Sequence, residues 1–428
     1  MLARNKRDED DDVELFKQFL RINTMHPKPD FASCLTWLRR ISDELGMTFQ
    51  VVECVAGLPN VVLTLAGSDP TLPALLLNCH MDVVPVVADM WSKLPPGETP
   101  FSAWEDPSNG FIYARGAQDM KCVGAQYLCA LRALRKRQAP SPTHLFRRTV
   151  HLLWVPDEEI GGANGMAKFV HSPEFRRLHV GLALDEGLAH DENRFVIFYG
   201  ERTPLWATFV ARGAVGHGAK LIEGTAMDRL ARIVERMTRR RDENFQKLQK
   251  GADLGDVTSF NWTYCGAGVT TDGGRTYAYN VIPSEGRVTF DCRVAAAEFD
   301  AVTSEWQVWA RELDLELRLE NTPDKTIAGV TPSPHSPIDT AWFHVLKNAL
   351  SQYGAEVTCR VFPAATDSRY VRRVGVPAYG FSPMRNVPSL LHDHNEYLPR
   401  STYLEGVAVY AAVIPALADF AGDIHSKL

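Results

Sequence analysis

Five short strings place acids or histidines where an apolar run ends. NCHMDVVP carries His80 and Asp82, ARGAQDMK carries Asp119, VPDEEIGG carries Asp157, Glu158 and Glu159, ALDEG carries Asp185 and Glu186, and LLHDHNEYLP carries His392, His394 and Glu396. Imidazole and carboxylate together suit Zn²⁺, or with less selectivity Mn²⁺ or Co²⁺, and a carboxylate can bridge two ions about 3.5 to 4 Å apart. Taken singly, most of these strings have a plainer explanation. A histidine after a strand is more often structural than ligating, and Asp119 just ahead of an apolar-periodic segment is an ordinary N-cap. The three consecutive acids at 157–159 are different. They repel one another unless solvent or a cation neutralises them, and the two following glycines let the backbone come close to something bound. Taken together the five clusters predict a metal site. Asp82, two residues after His80, is placed to accept the other imidazole N–H and so to fix the tautomer that ligates.

Such residues need elements to bring them together. Steps of three and four from Val13 to Leu20 and from Leu35 to Leu45 predict two opening helices. TFQVVECV, NVVLTLAG, PALLLNC, TVHLLWV and HVGLAL read as strands of a covered sheet, with a helix through Val123, Tyr127, Leu131 and Leu134 between the third and fourth. This alternation predicts an α/β fold with a mainly parallel sheet, in which ligand sites form where strands end. From about residue 203 the character changes to an α+β pattern with a long charged helix from Thr225 to about Lys250. The earlier style resumes with the apolar segment Trp342 to Leu350, the strand VPAYGFS and a last helix, for which Thr402 and Glu405 have capping-box spacing. All five clusters lie outside the insert, which predicts one discontinuous domain closing around another.

Composition narrows the class. The chain has 428 residues, 45% apolar and 23% charged, which fits a folded globular protein longer than one domain of roughly 150 residues. A formal charge of -6 disfavours nucleic acid and anionic lipid as partners. The basic run RMTRRRDENFQKLQK reads as an exposed helix of mixed charge. The apolar stretch Gly406 to Ala421 contains Pro415 and is shorter than a span of about 20 residues, so a buried helix is expected and no membrane partner. The start MLARNKRDEDDD lacks a secretory apolar stretch, and eight scattered cysteines form no C-x-x-C pair, so a cytoplasmic location is expected. The sequence also lacks H-E-x-x-H, G-x-S-x-G and phosphate-binding glycine motifs.

LLLNCHMDVVP, YARGAQDMK, VPDEEIGG, ALDEG, YNVIP, FPAATDSRY, GFSPM and LLHDHNE span nearly the whole chain, and through them the sequence resembles the M20 family of dinuclear zinc amidohydrolases. The resemblance implies a zinc-peptidase-like catalytic domain in two parts, 1–202 and 325–428, around an inserted α+β, ferredoxin-like lid and dimerisation domain at 203–324. It implies two Zn²⁺ per subunit: His80 and Glu186 on one, Glu159 and His392 on the other, Asp119 bridging both, with Glu158 as general base and Asp82 in support. His217 in ARGAVGHGAK would stabilise the oxyanion from the partner subunit of a homodimer with shared active sites. Asn280 in YNVIP would help bind substrate, and Arg369 in ATDSRY would hold its carboxylate, which its planar fork fits. The implied reaction is hydrolysis of the amide of an N-acylated amino acid. Dipeptidase or carboxypeptidase action on the same site is the alternative; a silent metabolite-binding relative would have lost a ligand or the base, and none is missing.

Overall fold

Ala74–His80 is buried at all seven positions, as a strand covered on both faces must be. The computed structural model describes residues 5–138, 144–270, 272–322, 325–327 and 330–422. The chain divides into two compact units, one of Met1–Tyr199, His335–Arg360 and Thr366–Leu428, the other of Gly200–Pro334 and Val361–Ala365. The expected return to the catalytic domain, between 324 and 325, touches residue 324, which lies outside the described residues.

In the first unit, but for the last two residues of β8 and of β15, an eight-stranded sheet contains β1 (Thr48–Val55), β2 (Leu58–Leu65), β3 (Ala74–His80), β6 (Val150–Val155), β7 (Val180–Asp185), β8 (Arg194–Glu201), β15 (Glu356–Phe362) and β16 (Ala378–Gly380). The order is β1-β2-β6-β3-β7-β16-β8-β15. Its centre, β6-β3-β7-β16, is parallel; β1 and β2 join one side of it, and β8 the other, antiparallel. The predicted parallel sheet is therefore the middle of a mixed one. A small second sheet joins β4 (Trp104–Glu105), β5 (Phe111–Tyr113) and β17 (Tyr397–Pro399).

Alternate residues of the central strands face two cores. Leu75, Leu77 and Cys79 pack with apolar side chains of α1 (Lys6–Arg21), α2 (Phe31–Glu44), α3 (Lys121–Gln138), α8 (Ala341–Ser351) and α10 (Arg400–Ala418). Leu76 and Leu153 pack with those of α4 (Met166–Phe169), α5 (Pro173–Arg177) and α9 (Ser368–Arg373). Gly124 lets α3 lie close against β3 and β6, because a Cβ there would stand 2.6 Å from Cys79 Sγ and from the Trp154 ring. That close contact fixes the start of α3, and with it Asp119, relative to the strand ends.

The last helix corrects one expectation. Thr402 and Glu405 do not form a capping box; β17 runs directly into α10, whose N-cap is Pro399. The Arg400 N–H donates to Gly110 O at 2.9 Å and fixes the earlier start, while the Glu405 carboxylate pairs with Arg385. Val407, Tyr410, Val413, Ile414 and Leu417 are fully buried, which accounts for the apolar character of this helix.

The second unit is a four-stranded antiparallel sheet of β9 (Thr203–Arg212), β11 (Ser259–Ala267), β13 (Glu285–Val294) and β14 (Leu315–Leu319), in the order β11-β13-β9-β14. With α6 (Ala226–Gln249) after β9 and α7 (Phe299–Glu312) after β13, the connections and order are those of a ferredoxin-like sheet. β13 alternates between exposed and buried positions, as a sheet covered on one face does. The arginines of the basic run on α6 pair with acids, Arg236 with Glu312 at 2.6 Å and Arg240 with Glu305 at 3.1 Å. A separate short pair, β10 (Gly216–His217) and β12 (Val281–Ile282), carries the predicted His217, with Asn280 immediately before β12.

Candidate metal centre

Parallel pairing brings three acidic or histidine strand ends to one edge of the sheet. His80 ends β3 opposite Val155 at the end of β6, after which Glu158 and Glu159 form a 3-10 turn, and β7 on the other side ends at Asp185 before Glu186. Asp119 arrives from the loop ahead of α3, and His392 from the loop ahead of β17. His392 has φ 64°, a left-handed conformation that costs a non-glycine residue of order 1–3 kcal/mol and that clusters at functional sites.

The two imidazoles stand on either side of one carboxylate. His80 Nε2 lies 3.0 Å from Asp119 Oδ1 and 3.8 Å from Glu186 Oε2. His392 Nε2 lies 3.3 Å from Asp119 Oδ2 and 3.0 Å from Glu159 Oε2. Asp119 thus presents one oxygen to each histidine. Ligand atoms of His80, Asp119 and Glu159 lie within 4.8 Å of one another, and so do those of His80, Glu158 and Glu186. The structure brings together all five expected ligands and Glu158.

Their ionisation shows why a cation fits. Burial and the neighbouring Glu186 push Glu158 well up; burial and Asp119 do the same to Glu186. Burial, reinforced by Asp119, raises Glu159 to about 7. Burial alone would lower His80, but its hydrogen bond to Asp119 and the negative charge of nearby Glu186 raise it well above the usual imidazole range. His392 is raised to about 10 by its hydrogen bonds to Asp119 and Glu159. Asp119 is held low despite its burial, because both histidines donate to it. Without a metal the cluster must hold protons to balance its carboxylates. Among the described residues Glu159 Oε1 is buried without a hydrogen-bond partner. Nitrogen and oxygen donors converging with an excess of carboxylates are what divalent cations need.

One expectation about Asp82 is corrected. The His80 Nδ1–H donates to the main-chain carbonyl of Asp82 at 2.9 Å, so the backbone, not the carboxylate, fixes the tautomer and leaves Nε2 for a cation. The Asp82 carboxylate instead accepts from the backbone N–H of Glu158 at 3.2 Å, that of Glu159 at 3.1 Å, and His26 Nε2 at 3.0 Å. It holds the 3-10 turn that carries both glutamates.

Arg369 grips the same turn from the other end. Its guanidinium donates to Gly161 O at 2.8 Å and to Thr366 O at 2.5 Å, and Tyr370 OH also donates to Gly161 O, at 2.7 Å. His217 and Asn280 lie in the second unit, adjacent to each other and exposed: Gly218 N–H donates to Asn280 O at 2.7 Å. His217 Nδ1 accepts from the Ala219 N–H at 3.0 Å, which leaves the proton on Nε2 as an outward donor.

Sequence reasoning counted Glu396 only among the clustered acids and histidines and missed its part. It is fully buried and accepts from Arg115 Nη1 at 2.8 Å and from the N–H groups of Gly116, Gln118 and Asp119 at 3.0, 2.6 and 3.3 Å. Arg115 also donates to His392 O at 3.3 Å. One ion pair therefore fastens the Asp119 loop to the His392 loop. Asp185 was read only as an acid beside Glu186, yet it ties β7 to β3 and α9 by accepting from Asn78 and Ser368 at 2.9 and 2.8 Å. The Arg115-Gly116 pair in YARGAQDMK was the available signal for the first clamp; Asp185 left none beyond its place at a strand end.

The family model described as peptidase family M20/M25/M40 matches residues 76–416, which include every one of these clusters. The chain belongs to this family. Curated relatives of this M20 protein include "Aminoacylase-1" of Dictyostelium discoideum, 40% identical and covering 97% of this chain and 99% of that one. "Aminoacylase-1" of Homo sapiens is 41% identical, covering 98% of each. Solved structures with this fold include an M20 family metallo-carboxypeptidase from Sulfolobus solfataricus, with TM-score 0.70 at 17% identity over 96% of this chain and 99% of that one. Another is Bacillus subtilis YXEP, described as a dinuclear metal binding peptidase from the M20 family, with TM-score 0.67 at 13% identity over 97% and 100%.

Replacing Glu396 by Ala would leave a buried guanidinium and three backbone donors unpaired. Glu396→Ala is expected to lose about 3–5 kcal/mol of stability in denaturant unfolding, and about 10–100-fold in metal affinity in competition with a chromophoric chelator. Wild-type metal affinity in a folded variant would contradict the clamp.

Proposed function

We propose that this protein hydrolyses the amide bond of N-acyl-L-amino acids with two zinc ions, to a carboxylate and a free L-amino acid. The observation that carries the reading is Asp119 set between His80 and His392, each also facing a glutamate, in a chain about 40% identical to aminoacylase-1 along its whole length. His80 and Glu186 would hold one zinc, Glu159 and His392 the other, and Asp119 both. When bound, the pair would polarise the scissile carbonyl and lower the pKa of water to about 7.

The chain's own residues do the rest. Glu158 takes the proton of the attacking water and passes it to the leaving nitrogen, a task that suits a carboxylate whose burial makes it a stronger base. Asp82 and Arg369 hold the turn that presents it. Arg369, whose Nη1 and Nη2 already donate to Thr366 O and Gly161 O, would add its positive charge to the binding of the substrate carboxylate, with Asn280 aiding substrate binding. His217 offers its Nε2–H to the oxyanion from the partner of a homodimer. Support for the dimer comes from the second unit: β11 is an edge strand of its sheet, and its Trp262 and Tyr264 are 50% and 49% exposed, an apolar edge of the kind that pairs with another chain. We also place the protein in the cytoplasm, a reading supported by eight cysteines none of which is in a disulfide.

Glu158→Gln is expected to lower kcat on N-acetyl-methionine by about 10²–10⁴-fold while retaining its zinc; full activity would refute the assigned base, and turnover of dipeptides but not of acetyl-amino acids would refute the substrate class. Mixing inactive His217→Ala and Glu158→Ala subunits should restore activity through the one intact site of each hybrid dimer. No recovery after subunit exchange would refute shared sites.

A further inference from the structure

The segment after α1 is stitched to the chain that leaves β3. Thr24 Oγ1 donates to Met81 O at 2.6 Å, the Val83 N–H donates to Thr24 O at 3.3 Å, and Met25 bridges Val83. This places His26 against Asp82, with Nε2 3.0 Å from Asp82 Oδ2 and only 13% of its side chain exposed. The main-chain carbonyl of Pro156, one residue past the end of β6, acts on the same ring. His26 therefore spans the chain leaving β3 and the chain leaving β6, the two segments that deliver His80 and the paired glutamates.

The fully buried Asp82 carboxylate has three donors. Two are the N–H groups of Glu158 and Glu159, and the third is His26, which shares Oδ2 with Glu159 N. Asp82 sits beside a group already crowded with carboxylates, where a further negative charge is costly unless a donor or positive charge faces it. Of its three hydrogen-bond donors only His26 can carry a positive charge, although the His80 ring also lies 3.7 Å from Asp82 Oδ1 and Lys121 acts on the carboxylate from farther off.

We propose that His26 is a positioning residue for the hydrolytic reaction: it acts through Asp82 to hold the Glu158–Glu159 turn in register with His80. It does not touch the reacting atoms. The hydrogen bond to Asp82 outweighs burial and raises the imidazole pKa, which agrees with a histidine placed as a donor to that carboxylate. The kinetic side of the claim rests on amide hydrolysis being the reaction; the structural side does not.

The test compares the zinc-loaded wild type with His26→Leu, which removes the donor, and His26→Gln, whose amide N–H can reach Asp82 in its place. Steady-state kinetics on N-acetyl-methionine are read beside hydrogen exchange of the peptide covering residues 156–162. His26→Leu is expected to lower kcat about 10–100-fold with KM changed by less than about twofold, and to speed exchange of that peptide. His26→Gln should recover most of the kcat and the protection. Should His26→Leu not fold, His26→Asn, too short to reach Asp82, takes its place. Wild-type kcat and exchange in the donor-less variant would overturn the proposal, and so would equal impairment of the Leu and Gln variants. If the wild type itself turned over no acyl-amino acid, the hydrolase reading would fail while the exchange comparison still decided the positioning role.

Discussion

The negative charge gathered at the end of the central sheet governs the rest of the structure. Asp119, Glu158, Glu159 and Glu186 converge on two imidazoles at that edge, and desolvation with mutual repulsion pushes Glu158, Glu159 and Glu186 up as a result. In low dielectric such a group is costly, and it is kept only where positive charge is supplied. Two histidines facing one carboxylate from opposite sides divide the cluster into two sites of mixed nitrogen and oxygen character. A divalent cation in each would replace the protons with fixed charge.

Holding mutually repelling ligands in place requires supports made of the opposite polarity, and the fold provides three. Glu396 gathers Arg115 and three N–H groups of the Asp119 loop; Asp82 gathers the N–H groups of the glutamate turn; Arg369 draws in the carbonyl at the end of that turn. Each support is buried, spans segments distant in sequence, and acts mainly on the backbone, so the ligating side chains remain available. Gly124 adds the packing side of the same constraint, bringing α3 against β3 and β6 so that Asp119 meets His80.

This division explains what could be read from the sequence. His80, Glu158, Glu159 and Glu186 were legible because period-two and continuous apolar runs mark strands, and strand ends in a parallel sheet share one edge, whereas Asp119 and His392 lie on loops and took their roles from the resemblance. The resemblance then separated Glu158 from Glu159 and His392 from His394, distinctions that spacing alone does not make. The supports were not legible, because a hydrogen bond to a distant backbone N–H leaves no local pattern. Asp82 showed this most directly: its position two residues from His80 matched a carboxylate orienting an imidazole, but the main-chain carbonyl reaches the ring first and the side chain turns to another loop. The start of α10 was misread for a related reason, since pairing of β17 with β5 overrides the local Thr402 and Glu405 signal.

The central claim is that one carboxylate organises both cation sites, and the metal content of purified Asp119→Asn, counted per chain by mass spectrometry of the eluted metal, tests it most directly. Asparagine keeps the size of the side chain but removes the charge and one of the two acceptor oxygens. The account predicts two ions per chain in the wild type and fewer than about one in the folded variant, because both sites lose their shared ligand. Two tightly held ions in Asp119→Asn would contradict it.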